Sequence, residues 1–72
     1  MNKSSIKKVL LHETGGVGVI NASQVKRAMG WGNDRTAETL RGLDFIRRNR
    51  TKQYDVDETA AVIAESIERV TI

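Results

Sequence analysis

The side chains most able to do chemistry in this sequence are basic, and they are concentrated in one short segment. Four of the six residues in the segment 47–52 are Arg or Lys. Cations at this density favour contact with phosphates, because neutralising phosphates and releasing their counterions supplies much of the affinity for nucleic acid. The segment is therefore the first candidate binding site. The alternative interpretation is a solubilising strand edge, whose charges prevent aggregation.

Arrangements suited to catalysis or metal binding are poorly represented. The chain has one histidine, His12, and no cysteine, so neither a nucleophile–base pair nor a zinc-ligand set can be assembled. Residues 15–18 (Gly-Gly-Val-Gly) lack the Gly-Lys-Ser/Thr of a phosphate-binding loop and are interpreted as a connector. Asp55 and Asp57 are interpreted as an exposed acid and a helix cap. We expect no enzymatic activity, no metal and no cofactor.

The charges are unevenly distributed along the chain. Overall there are 12 basic and 9 acidic residues, a net charge of +3. Residues 1–53 hold eleven basic and four acidic residues, a balance of +7, whereas residues 54–72 hold one basic and five acidic residues, a balance of −4. A basic surface with an acidic back is typical of a protein that binds a polyanion.

Length and composition indicate the class of protein. Seventy-two residues, of which 39% are hydrophobic, suffice for one small domain with a thin core. No apolar run approaches the ~20 residues that cross a bilayer, and no signal-peptide pattern is present. We expect a single soluble domain over residues 1–72, cytoplasmic and without membrane contact.

The apolar spacing predicts helices in the first part of the chain. Ser4 or Ser5 is expected to cap a first helix, with Ile6, Val9 and Leu10 facing inward and an end at Gly15. The connector that follows could contain one strand. Asn21 and Gln24 form a predicted capping box for a second helix, Ala22–Met29, which ends at Gly30.

A third helix is predicted after the turn at Trp31-Gly32. Asn33 or Asp34 is expected to cap it, Ala37 and Leu40 to face inward, and Gly42 to end it after about Arg41. Leu43 is expected to plug the core from the next loop. Trp31 and Tyr54 are also interpreted as core residues.

The hydrophobic period then changes to about two. Residues 45–47 and 53–56 are β-prone and flank the polar stretch 48–52, which predicts a two-stranded hairpin with a charged tip. Asp57 is expected to cap a last helix. Its inward positions are predicted to be Ala60, Ile63, Ala64, Ile67 and Val70.

Two short helices joined by residues 30–33 have the spacing of a helix-turn-helix unit, whose second helix enters the DNA major groove. The basic hairpin directly after them is in the position of a wing. The fold class expected is mainly α with a small β-hairpin, a winged helix-turn-helix. It comprises a three-helix core, a two-stranded wing (about 44–56) and an additional terminal helix (about 57–69), with the helix-turn-helix at about 21–41.

These segments resemble a known family. Ile20–Gly30 is similar to the first helix of small winged-helix modules related to MerR regulators and phage excisionases, and Asn33–Leu40 resembles their recognition helix. Tyr54–Asp57 resembles the second wing strand and the capped helix after it. The resemblance covers about residues 20–67 and implies DNA binding, in transcriptional control or in the directionality of site-specific recombination. The departures from the family pattern are Asn33, Ala37 and Glu38.

The function expected is sequence-specific binding of double-stranded DNA. Further partners could be a second copy, in a dimer or cooperative array, or a recombinase. The alternative is a winged-helix docking module without DNA binding, held to its partner by the acidic end of the chain. The residues expected to contact DNA are Asn33, Arg35, Thr36, Thr39, Arg41, Arg47, Arg48, Arg50 and Lys52.

Overall fold

A computed structural model of the chain describes residues 2–70, with side chains through residue 67. The described chain is mainly helical and carries a small antiparallel sheet. The predicted inward position of Val70 lies outside the described side chains. The elements in chain order are α1 (Lys3–Thr14), β1 (Val19–Ile20), α2 (Ala22–Met29), α3 (Asn33–Leu40), β2 (Ile46–Arg48), β3 (Thr51–Asp55) and α4 (Val56–Val70).

Side-chain caps set the boundaries of the first two helices. For α2 the predicted capping box is confirmed: the Gln24 amide donates to the Asn21 side chain at 2.9 Å, and the Asn21 amide donates to the Gln24 side chain at 3.0 Å. For α1 the predicted cap at Ser4 or Ser5 is wrong. Asn2 caps this helix by accepting from the Ser5 amide at 2.9 Å, because an Asn oxygen reaches the N3 amide as well as a Ser oxygen does.

The N-cap and the buried side of helix α3 differ from the prediction. Its N-cap is Gly32, without a side-chain cap hydrogen bond, so neither Asn33 nor Asp34 caps it. Thr36 is buried while Ala37 is exposed. Thr36 and Ala37 both lie about one turn before the buried Leu40, and the packing of α3 against α2 and α4 buries the side that carries Thr36. The Thr36 hydroxyl donates to the Gly32 carbonyl at 2.9 Å, which removes the cost of burying it.

The sheet contains three strands in the order β1-β3-β2: the two of the predicted hairpin and the strand considered possible in the connector, whose pairing with the hairpin was not predicted. The connector before α2 supplies β1, which pairs with β3 through Val19 opposite Asp55 and Ile20 opposite Tyr54. The β2–β3 hairpin is confirmed, but its tip is tighter than predicted. Only Asn49 and Arg50 lie outside the strands, with φ of 51° and 67°, as a two-residue hairpin turn requires.

Asp55 rather than Asp57 caps α4. The Asp55 carboxylate accepts from the Glu58 amide at 3.0 Å, and the helix begins directly at Val56. The predicted inward residues Ala60 and Ile63 are fully buried. Ala64 and Ile67 are partly buried against the core, as are Trp31 and Leu43.

The core lies between α1, α4 and the base of the sheet, and α2 and α3 close one side of it. Tyr54 belongs to it, at 8% exposure, as the sequence predicts. The hydrophobic side chains buried in this core are Ile6, Leu10, Ile20, Val25, Leu40, Tyr54, Val56, Ala60 and Ile63.

Candidate nucleic-acid interface

The turn between α2 and α3 is held by backbone geometry at Gly30. Its left-handed φ of 69° ends α2, and both the Gly30 and Trp31 amides donate to the Lys26 carbonyl, at 2.8 and 3.1 Å. The Lys26 ammonium also donates to the Asn33 side chain at the start of α3. Asn33 therefore joins the two helices.

The Trp31 indole supports the Arg35 side chain. The Arg35 guanidinium carbon lies 4.4 Å from the Trp31 ring centroid, within the range of a cation–π contact. Trp31 is half-buried and packs against the core, so its outer face is a fixed platform. Stacking uses the flat face of the guanidinium and leaves its N–H edges available to an acceptor.

The predicted contact residues of α3 lie on different sides of the helix. Arg35 and Arg41 are six residues apart, which puts them about 120° apart around the axis. Thr39 is half-buried, and its hydroxyl donates to the Arg35 carbonyl at 2.8 Å. The Thr36 side chain, 2% exposed, cannot contact a ligand on the surface. Between the two arginines, the exposed surface of the helix carries Asp34 and Glu38.

The β2–β3 hairpin divides its four cations between two faces and a tip. Arg47 is opposite Lys52 and Arg48 is opposite Thr51. Because strand side chains alternate between faces, Arg47 and Lys52 share the face of Tyr54, here called the inner face. Arg48 lies with Ile46 and Gln53 on the other, the back face. Arg50 occupies the tip.

The Phe45 ring contacts both cations of the inner face. The Lys52 ammonium lies 4.6 Å from the Phe45 ring centroid, and the Arg47 guanidinium carbon lies 5.9 Å from it. The Tyr54 ring packs at 6.1 Å, centroid to centroid, with the two planes inclined by 60°. Phe45 is 44% exposed, so the ring restrains both cations without burying them.

An open cleft of about 380 Å³ lies between α3 and the inner face of the hairpin. Arg41 stands on one wall and Lys52 on the other, over a floor that includes Leu40 and Tyr54. A second cleft, of about 460 Å³, adjoins Lys52 and extends to the hairpin tip and the first turn of α2. Its lining includes Asn21, Ala22, Ser23, Arg50, Thr51 and Lys52.

The cations around these clefts are not neutralised by neighbouring acids. Among the described side chains, no carboxylate forms an ion pair with Arg35, Arg41 or any cation of the hairpin. The ion pairs lie elsewhere, at Arg27–Glu13 and Lys7–Asp57, with distances of 2.8 and 2.7 Å. Four exposed cations without an ion pair to a described side chain therefore remain available to a polyanion around the clefts: Arg41, Arg47, Arg50 and Lys52. Arg35 is also exposed and without such an ion pair, on the far flank of α3.

The structure brings together only part of the predicted contact set. Arg41 and Lys52 share one cleft, with Arg47 beside it and Arg50 on the adjoining cleft. Arg35 is on the far flank of α3. The back-face position of Arg48 and the burial of Thr36 separate those two residues from this surface.

Phe45 is the important residue that sequence reasoning misses. Its β propensity predicts a strand position, whereas it lies just before β2 and contacts two cations. The available signal was its position two residues before a basic run. Ala22 and Ser23 also line the surface, and they carry no signal of their own, because only the fold brings the start of α2 to the hairpin.

Comparison with protein-family models, with curated proteins and with solved structures finds no match to this chain. Within residues 2–70, no helix combines the length and apolar composition needed to span a membrane. Over the same residues no group of three or more metal-binding side chains occurs.

Proposed function

We propose that this chain is a winged helix-turn-helix protein that binds double-stranded DNA sequence-specifically. Its role is that of a small transcriptional regulator or an excisionase-like factor, in the cytoplasm of a prokaryotic or phage-host cell. The observation that carries the proposal is the cleft between α3 and the inner face of the hairpin, which has an unpaired cation on each wall, Arg41 and Lys52. This geometry suits a phosphate backbone lying between two elements that enter adjacent grooves.

In this arrangement α3 lies in the major groove and the hairpin lies beside the neighbouring backbone. The width of the major groove admits one helix, and the exposed side of α3 is free of neighbouring elements at Asp34, Glu38 and Ala37. Glu38 fits acceptance from a cytosine amino group, and Arg35 fits bidentate donation to guanine. The hairpin cations and Arg41 supply contacts to phosphate, which orient the protein without reading sequence.

The phosphate contacts are tested by the salt dependence of binding to a fluorescently labelled duplex. We expect the affinity of the parent chain to fall steeply with salt. Arg41→Gln or Lys52→Gln should each reduce the magnitude of the log–log slope by about 0.9, the value for one phosphate contact. Lys8→Gln is the matched control, because Lys8 is exposed on α1, outside the proposed surface; its slope should equal that of the parent.

Sequence readout is tested separately by selecting duplexes from a random pool. Arg35→Ala should change the preferred sequence at one position, whereas Arg50→Ala should weaken binding to all sequences about equally. Failure of the parent chain to bind any duplex at low salt would overturn DNA binding and favour the docking alternative. Identical behaviour of the two variants would overturn the placement of α3 in the major groove.

A further inference from the structure

The back face of the hairpin is an exposed surface that DNA binding does not use. Ile46 is 64% exposed there, more than any other large hydrophobic residue among those described. It borders a cleft of about 230 Å³ whose lining also includes Val19 and Gln53. The strand register puts Val19, Ile46 and Gln53 on the same face of the sheet. A single exposed apolar side chain is common on protein surfaces, so an interaction at this face depends on the charges around Ile46.

Charge differs between the two ends of this face: Asp44, Asp55 and Glu58 line the cleft at one end, and Arg48 lies at the other end of β2. Asp44, Ile46 and Arg48 occupy alternate positions along one line of chain, so an acid, an apolar residue and a base follow each other. Asp44 and Ile46 line the same cleft, and Ile46 and Arg48 belong to the same strand. None of the described side chains forms an ion pair with Asp44 or Arg48. We call this line of residues the back stripe.

We infer that the back stripe binds a second copy of this chain in a two-fold symmetric dimer. In this dimer the back faces of two sheets face each other. The two-fold axis lies in the plane between them, perpendicular to β2 and level with Ile46. It therefore reverses the direction of the back stripe in the second copy. Ile46 then faces Ile46 of the second copy. Arg48 of each copy faces Asp44 of the other.

The positions of the residues fit this reversal. Arg48 is two residues after Ile46 in β2, an advance of about 6.6–6.8 Å, and Asp44 is two residues before Ile46, just outside the strand. The two charges therefore lie on opposite sides of the axis. The interface is isologous, so one pair of complementary charges occurs twice in the dimer.

Other ways of covering this surface fit the charges less well. Pairing of two β2 edges would bring Arg47 and Arg48 close to their counterparts, and like charges on an edge strand oppose such pairing. Stacking the faces with the strands in the same direction would put Asp44 against Asp44. Only the reversed orientation relieves both repulsions.

Sedimentation equilibrium of the whole chain without DNA tests the inference. The contact area is small, and interfaces below ~1,200 Å² are weak, so concentrations from about 10 μM to about 1 mM should be covered. We expect the parent chain to dimerise within this range. Ile46→Thr, which keeps a β-branched side chain, should reduce dimerisation at least tenfold; Lys8→Gln, away from the stripe, should not change it.

Charge reversal gives a test that general destabilisation cannot imitate. Arg48→Glu alone should be monomeric because two acids then face each other, and Asp44→Arg alone should be monomeric because two bases do. An equimolar mixture of the two variants should form a heterodimer, and the double variant should dimerise like the parent. These positions are exposed, and far-UV circular dichroism checks that each variant is folded.

Three outcomes would overturn the inference. The first is a parent chain that is monomeric throughout this range, and the second is a mixture of single variants that stays monomeric. The third is self-association that Ile46→Thr and the charge reversals leave unchanged, which would locate the interface elsewhere. The experiment contains no DNA, so its failure leaves the proposed function untouched. Conversely, a chain that dimerises as expected and binds no duplex would overturn only the proposed function.

Discussion

At the scale of single residues, Arg50 stands out because its backbone favours a different amino acid. With φ of 67° it occupies the left-handed region, where a residue with a Cβ atom is about 1 kcal/mol less stable than glycine. The first turn residue, Asn49, is one of the types that tolerate this region. An arginine at the second position costs stability and puts a cation at the tip, which fits a role in contacting DNA.

Replacing Arg50 with glycine should change stability and DNA binding in opposite directions. Arg50→Gly should raise the free energy of unfolding by about 1 kcal/mol, measured by urea denaturation, because the turn strain is relieved. The same change should lower duplex affinity roughly three- to tenfold at low salt, since a cation is lost.

Arg50→Ala is the matched control for this pair of measurements. It removes the same charge but keeps a Cβ atom at positive φ, so binding should fall as in the glycine variant while stability should not rise. Equal stabilities of the glycine and alanine variants would contradict the strain argument. Parent-like duplex binding by both would contradict a DNA contact at the tip.

At the scale of elements, an ion pair connects the two helices that form most of the core. The Lys7 ammonium lies 2.7 Å from the Asp57 carboxylate and so joins α1 to the first turn of α4. Its hydrogen bond to Asp57 is the main cause of a lowered pKa for that carboxyl, and the charges of Lys7 and Lys3 add to the effect against a desolvation penalty. The ionised form of the Asp57 carboxyl is therefore more stable in the folded chain than in the unfolded chain.

The pH dependence of stability follows from the direction of this shift. A carboxyl whose pKa is lowered on folding stabilises the fold at neutral pH. This contribution begins to be lost as the pH falls below the ordinary carboxyl value of about 3.9, and it is absent below the lowered pKa. Asp57→Asn should therefore have a lower Tm than the parent at pH 7, with the difference disappearing in acid. A Tm difference that is constant down to about pH 2 would contradict this assignment.

The elements also show which parts of the fold the sequence predicts and why. The bounds of α2 are confirmed because its signals are local, with Asn21 and Gln24 three residues apart and Gly30 at its end. Apolarity favours Ala37 for the inward face of α3, but Thr36 and Ala37 both lie about one turn before Leu40, and only packing against α2 and α4 decides that Thr36 is buried. Strand β1 depends on pairing between Val19 and Asp55, and no local pattern indicates a partner that far along the chain.

The candidate site is also predicted from the sequence only in part. Local composition finds the cations of the segment 47–52, but their division between faces depends on the strand register, which puts Arg48 behind and Lys52 in front. The tight tip was missed because Asn-Arg is a less usual pair for this turn than Asn-Gly. Phe45 and the start of α2 join the surface only through tertiary packing.

At the scale of the whole molecule, the two faces of the hairpin point to opposite sides, so the proposed dimer interface and the proposed DNA surface do not compete. A dimer formed through the back stripe would carry one DNA-binding cleft on each outer side. Such an assembly should hold two duplexes at once, because neither cleft is covered by the second copy.

This arrangement predicts bridging of DNA, which can be measured by retaining a labelled duplex on beads that carry a second, unlabelled duplex. The parent chain should retain the label, and high salt should release it, because phosphate contacts are weakened. Ile46→Thr should bind a single duplex with the affinity of the parent but lose retention, since Ile46 lies on the back face. Arg41→Gln should weaken both. Retention by Ile46→Thr equal to that of the parent would show that bridging, if present, does not use the back stripe.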